Sequence, residues 1–120
     1  MYPEDEFTNQ SMRFMTAELV REQALILTRQ EIPHAVATVV DSWEDEENLV
    51  RIMVTIVCEK PGQKAILIGK GGAMLKEIGT QARLQIAEML EKPVFLELFV
   101  KVRDEWRQNP RMLRELEYLD

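Results

Sequence analysis

Gly69-Lys70-Gly71-Gly72 is the stretch of this chain whose residue types and spacing are best suited to chemistry. It follows the apolar run 65–68 and opens a helical pattern from Ala73 to Leu90, so it reads as a G-x-x-G loop between two helices. Two glycines bracketing two residues let a backbone turn tightly and approach a polyanion with no side chains in between, and Lys70 adds charge at the tip. The second helix aims its free N–H groups at the same loop. Alone, the pattern is weak, because an ordinary tight helix–helix turn uses the same residues. Its surroundings discriminate. Between positions 60 and 83, Lys60, Lys64, Lys70, Lys76 and Arg83 face a single carboxylate, Glu77, a net charge of +4; the whole chain carries −6, which leaves −10 elsewhere. Positive charge is therefore concentrated at the loop. That distribution excludes a protein that coats nucleic acid indiscriminately, which needs a broadly basic surface, and fits a short local anion site.

A chain of 120 residues with 46% hydrophobic composition makes one domain, able to bury roughly two-thirds of its unfolded surface. Its one cysteine, Cys58, cannot form an internal disulfide and sits in an apolar run, which reads as a small core residue in a reducing cytoplasm. The start, Met1-Tyr2-Pro3-Glu4-Asp5-Glu6, lacks the basic and apolar stretches of a signal peptide, and no run approaches the ~18 apolar residues of a membrane span. The acidic tract Glu44-Asp45-Glu46-Glu47 lacks the spacing that wraps calcium and reads as a solvated turn, so no metal site is expected.

Hydrophobic periodicity supplies the scaffold for the loop. Thr8 caps an expected helix starting near Asn9, on which Met12, Met15, Leu19 and Ile26, with Val20 and Leu27, share the core side, and which ends before Pro33. The β-branched stretch from Ala35 to Trp43 is a strand, the acidic cluster through Asn48 turns the chain, and Leu49 to Glu59 returns as the antiparallel partner. Val50, Ile52, Val54, Ile56 and Cys58 share one face; Arg51, Met53, Thr55, Val57 and Glu59 share the other, which predicts helices on one side of the sheet and a mostly wet opposite side. A short helix over Gln63 to Ile68 precedes the loop. The longer helix after it buries Leu75, Ile78, Ala82, Ile86 and Met89 and presents Lys76, Thr80 and Arg83 on a separate face. A third strand, Val94 to Val102, alternates cleanly and is expected to join the sheet beside and parallel to the first strand. Asn109 and Pro110 start a last short helix through about Leu116. The expected fold is α+β, in the order α-β-β-α-α-β-α, with a three-stranded mixed sheet and helices packed on one face.

That order, with G-x-x-G between the two middle helices, resembles the type II KH fold, whose G-x-x-G loop clamps about four nucleotides of backbone. The resemblance extends through Tyr2-Pro3-Glu4-Asp5, Arg13-Phe14, Glu18-Leu19-Val20-Arg21-Glu22, Glu31-Ile32-Pro33-His34, Gly62-Gln63-Lys64, Ile68-Gly69-Lys70-Gly71-Gly72, Ile78-Gly79 with Ala82-Arg83, and Leu96 to Val102 with Trp106. Together these segments, covering nearly the entire chain, resemble the C-terminal KH domain of the Era family of bacterial GTPases. The resemblance implies binding to the 3′ end of small-subunit ribosomal RNA during assembly of the small ribosomal subunit, in the cytoplasm. It also implies a GTPase domain, with GTP and magnesium, as the partner of this region. No cofactor is expected in this chain itself, since it contains no G-x-x-x-x-G-K-[ST] loop and Gly71 stands where a phosphate loop needs a hydroxyl. Residues 1–8 then read as an inter-domain linker remnant, with Met1 supplied for expression, and 9–120 as the KH domain. Family members associate with membranes at times, although nothing amphipathic and basic enough for that stands out here. One departure is Glu117-Tyr118 in place of the family's Gly-Tyr, which affects how the last helix ends.

By this reading the amides of Gly69 to Gly72 grip phosphates, aided by Ile68 and Lys70, while bases lie in a groove between the helix pair and the strand Leu49 to Glu59. Arg51, Lys60, Lys64, Lys76 and Arg83 are the surrounding cations that would accompany the strand. Unpaired bases expose edges for hydrogen bonding, which provides sequence readout that phosphate contacts cannot. Two other classes compete. An enzyme using the loop as a nucleotide cradle lacks a metal-holding carboxylate near it and an acid or base, since the sole histidine, His34, sits beside Pro33 at a helix end. An acidic protein-interaction module, docking through its charged surface and Trp43 or Trp106, would bind RNA only with the help of the GTPase domain; Trp106 reads rather as the anchor of the last helix on the core.

Overall fold

The computed structural model describes residues 4–29, 31–32 and 36–103. In chain order the elements are α1 (Glu4–Leu27), β1 (Ala37–Asp45), β2 (Val50–Cys58), α2 (Pro61–Ile68), a short 3-10 turn (Lys70–Gly72), α3 (Ala73–Leu90) and β3 (Val94–Val102). His34, Trp106, Glu117, Tyr118 and the helix expected from Asn109 lie outside the described residues. Among the described residues no helix is long and apolar enough to cross a membrane.

β2 is the centre of the sheet and the most buried strand, with Ile52, Val54 and Ile56 fully buried. It pairs antiparallel with β1 and parallel with β3, from Val50 opposite Val94 to Cys58 opposite Val102. The expectation that the third strand lies beside and parallel to the first is therefore wrong. The path from β2 through α2 and α3 into β3 is a β-α-β crossover, which returns the chain to the free edge of the strand it left and keeps both strands running the same way. β3 is an edge strand as a result.

The helices pack on one sheet face, where α1, α3 and Leu67 of α2 close over β2 and β3. Ile78, Ala82 and Ile86 form the buried stripe of α3, with Leu75 and Met89 half-buried beside it. On α1 the buried residues are mostly small: Ala17, Val20 and Ala24, with Thr16, Gln23 and Thr28. Met15 and Ile26, expected in the core, are about half exposed at 48% and 55%. The reason is close approach. The Thr38 hydroxyl donates to the Ala17 carbonyl at 2.8 Å, a close approach of α1 to β1 that suits short side chains there, while Leu19, Leu25 and Leu27 pack at the margins of the core. α1 also starts at Glu4, so Thr8 lies inside the helix and is no cap. An acidic opening such as Glu4-Asp5-Glu6 suits the positive end of a helix.

β1 carries a bulge between Val40 and Ser42, which places Trp43 instead of Ser42 opposite Ile52. Trp43 thereby packs against the helix-side core, with the Arg13 guanidinium 5.9 Å from its ring centre. The opposite sheet face is drier than expected, because Val39 and Val57 pack together with Ala37 and the Thr55 hydroxyl donates to Asp41. The acidic turn is partly neutralised by two ion pairs, Arg51 with Glu46 and Lys92 with Asp45, each at 2.6 Å.

Cys58 is buried at the end of β2, and burial raises its thiol pKa above the ordinary value, opposed by weaker lowering effects from the Lys60 backbone and the Lys64 charge. A thiolate is needed for reaction with a disulfide reagent. Cys58 should thus label at pH 8 at least about 100-fold more slowly in the folded chain than in denaturant. Aromatic-disulfide titration with and without guanidinium measures this, and equal rates would contradict the burial.

Candidate nucleic-acid interface

α2 begins at Pro61, two residues before the expected Gln63. Proline is suited to a first helical position, and the Gln63 side-chain oxygen accepts from the amides of Glu59 at 2.9 Å and Lys60 at 3.1 Å, satisfying donors that the helix start leaves over. The helix stops at Gly69, whose φ of 73° and ψ of 178° form a combination essentially confined to glycine. Gly71 and Gly72 follow with φ of 62° and 81°, and α3 departs from Ala73.

These glycines do different jobs. A Cβ at Gly69 would lie 2.6 Å from the Met74 Cβ and 2.9 Å from its amide nitrogen, so the chain itself requires glycine there. Beside Gly71 and Gly72 there is nothing within 4 Å of such a Cβ, leaving open space into which a ligand can come. The amides divide likewise. Gly69 donates to the Ala65 carbonyl at 2.9 Å, and Gly72 to the Gly69 carbonyl at 3.2 Å. Among the described residues no acceptor engages the amides of Lys70 and Gly71. Two of the four loop amides expected to meet phosphate are thus engaged within the chain itself.

A groove of about 340 Å³ runs on from the loop. One wall is the α3 face carrying Lys76, Gly79, Thr80 and Arg83, and the other is β3 at Leu96 to Leu98. The groove was expected against β2, but β2 is paired along both edges and has no border to give. The open edge of β3 brings a further property. Val50 donates to the Pro93 carbonyl at 3.0 Å and Arg103 to the Cys58 carbonyl at 2.8 Å, so the odd-numbered peptide groups of β3 point toward β2. Peptide groups alternate along a strand, and those of Leu96 and Leu98 therefore point away from β2 toward the groove, with no partner strand among the described residues.

Of the residues selected from sequence, Ile68, Gly69, Lys70, Gly71 and Gly72 form the loop and its approach, and Lys76 and Arg83 border the groove. Lys64 sits on α2 near the Cys58 thiol. Lys60 is at the far end of α2, about 12 Å of helix from the loop. Arg51 lies on the sheet face opposite the helices, ion-paired to Glu46 and with its guanidinium 5.3 Å from the Phe95 ring centre. Among the described residues, the ion pairs involve Arg21, Arg51 and Lys92; none engages Lys70, Lys76 or Arg83, whose charge stays available to a polyanion. Sequence reading missed Gly79, Leu96 and Leu98 as groove residues. A lone glycine within a helical pattern was the signal for the first; for the two leucines there was none, since their role belongs to backbone at a sheet edge.

A family profile described as KH domain matches residues 31–107. The chain is 52% identical over 119 residues to the GTPase Era of Syntrophus aciditrophicus and 50% identical over 117 residues to that of a Nostoc species. It spans 98% of itself in both, but only 39% and 36% of those relatives' lengths. A solved structure of Era in complex with MgGDPNP and nucleotides 1506–1542 of 16S ribosomal RNA superposes with a TM-score of 0.82 at 38% identity, over 91% of this chain and 37% of that one. An Aquifex aeolicus Era structure bound to GDP and aluminium fluoride gives 0.81 at 39% identity, over 90% of this chain and 37% of that one.

Proposed function

The chain belongs to the KH domain family and matches the KH region of Era GTPases, with no GTPase domain among its residues, and we propose on that footing that it binds single-stranded RNA through the Gly69–Gly72 loop. The observation that carries this reading is the continuity of the site. Two unengaged amides and Lys70 lead directly into a groove bordered by Lys76 and Arg83 on one side and by the open backbone of Leu96 and Leu98 on the other.

The division of labour follows from chemistry. Phosphates are held at Lys70 and Gly71, where no Cβ obstructs the approach, and the partial positive charge at the α3 N-terminus adds to the attraction. Bases then lie along α3, packing on Leu75 and the bare backbone at Gly79. Their edges meet the peptide groups of Leu96 and Leu98, which distinguish donor from acceptor and so read sequence. A duplex has its edges already paired and is excluded. By family, the target we propose is the 3′ end of small-subunit ribosomal RNA, bound while the small subunit assembles; GTP and magnesium belong to the companion domain.

The test is fluorescence anisotropy with a short single strand matching that 3′ end, a scrambled strand and a duplex. The matching strand is expected to bind at least about 10-fold more tightly than either control, with a log–log salt slope of roughly −2 to −3 for three or four phosphates. Equal binding of all three, or none, would overturn the proposal.

Gly79 gives an independent check on the groove. Glycine in a helix interior costs about 0.5–1 kcal/mol relative to alanine. A Cβ there would sit 3.6 Å from Leu98 Cδ1, an ordinary contact, so Gly79→Ala should raise stability by about that amount. Gly79→Met should fold as well but project into the groove and weaken RNA binding about 10-fold. Unchanged affinity for the methionine variant would mean that bases do not lie along α3.

A further inference from the structure

On the other flank of α3 lies a second groove, of about 720 Å³, between α1 and α3. Its surface is apolar, formed by Phe14, Met15, Leu19 and Met89, with Phe14 53% and Met15 48% exposed. Its rim is acidic, formed by Glu18, Glu22 and Glu88, and among the described residues its lining contains no cation. At 100° per residue, Gln85, Glu88 and Met89 leave α3 well away from Lys76, Thr80 and Arg83. This groove therefore takes no part in the RNA site.

We propose that this groove docks a basic amphipathic helix of a partner protein. From Phe14 to Glu22 the α1 wall runs about 12 Å, a little over two helical turns, with Met15 and Leu19 one turn apart and Phe14 beside them, a length that a partner helix can lie along. An apolar stripe on the partner would cover Phe14, Met15, Leu19 and Met89, while flanking Lys and Arg would reach the glutamates. Glu18 has Arg21 at 3.7 Å on its own helix, but Glu22 and Glu88 form no ion pair among the described residues. Charge also selects the occupant. A second copy of this chain would set Glu against Glu across a two-fold axis, and an anionic lipid surface would be repelled by all three. A cationic helix gains from each of them.

The probe is a labelled synthetic helix of ~18 residues, roughly five turns, with a leucine stripe flanked by Lys and Arg, beside a twin carrying Glu in place of the cations. Anisotropy on the 120-residue chain is expected to show micromolar binding of the basic peptide, at least about 10-fold tighter than the twin, and undisturbed by saturating single-stranded RNA. Phe14→Ser, at an exposed position, should weaken binding about 10-fold with the circular dichroism unchanged. Glu22→Lys with Glu88→Lys should reverse the preference toward the acidic twin. Glu44→Lys with Glu47→Lys, which changes net charge equally but at residues outside the groove lining, should leave it as it was. Equal binding of both peptides, an equal response to the control pair, or displacement by RNA would overturn the proposal. So would a dimer in sedimentation that Phe14→Ser disperses, or Phe14-dependent binding to anionic vesicles, since either names a different occupant.

Discussion

Lys70→Asp together with Gly71→Asp is expected to lower RNA affinity by at least about 100-fold while the domain stays folded. The Lys70 ammonium contact is removed and two carboxylates are set beside the amides proposed to meet phosphate; a lost charged contact of about 1.5–3 kcal/mol together with the repulsion approaches two decades. The fold tolerates the pair for reasons visible in the loop. Lys70 is exposed, a Cβ at Gly71 meets nothing within 4 Å, and aspartate is among the residues best able to adopt the left-handed conformation with φ near 62°. The cost in stability should be about 1 kcal/mol, a few degrees in Tm. Anisotropy and a thermal melt on the same preparation check both halves. Unchanged affinity would remove the loop from the mechanism, and loss of binding with loss of fold would leave Gly72→Asp, in equally open space, as the cleaner probe.

Gly69→Ala is expected to do the reverse, damaging the fold first. The added Cβ would fall 2.6 Å from Met74 Cβ and 2.9 Å from its backbone nitrogen, so relief requires α3 itself to move; and a φ of 73° with ψ of 178° is strained for any residue with a side chain. Overpacking and backbone strain together should cost about 3 kcal/mol or more, a large share of the ~5–15 kcal/mol that holds a domain together. Gly71→Ala and Gly72→Ala carry only the left-handed penalty, about 1 kcal/mol each. Urea denaturation of the three single variants gives the ranking directly. If Gly69→Ala unfolds at the wild-type midpoint, the close packing of Met74 on the loop is wrong.

The contrast between these glycines bears on how such a loop is recognised. G-x-x-G looks like one motif, but its first glycine serves helix packing and only the following residues face outward. Substitutions at the first position therefore report on stability, and those at the second and third on binding.

Local pattern in the sequence determined the elements from α1 to β3, their order, the loop and the concentration of charge around it. These depend on periods of two and 3.6 residues, on glycine and proline chemistry, and on neighbours within a few positions, all of which a single chain displays. It also indicated that Lys76, Thr80 and Arg83 share a face, because helical spacing alone settles that. Which strand β3 joins was decided only when the chain closed on itself: both edges of the sheet could receive it, and the crossover placed it on β2. The position of the groove proposed for RNA followed from that pairing, since only an edge strand has backbone groups to spare. The same holds for α1, where two flanks carry apolar residues and periodicity cannot say which is buried. The short distance to β1 chose Ala17, Val20 and Ala24 for the interior, and so left Phe14 and Met15 outside, where a partner can reach them.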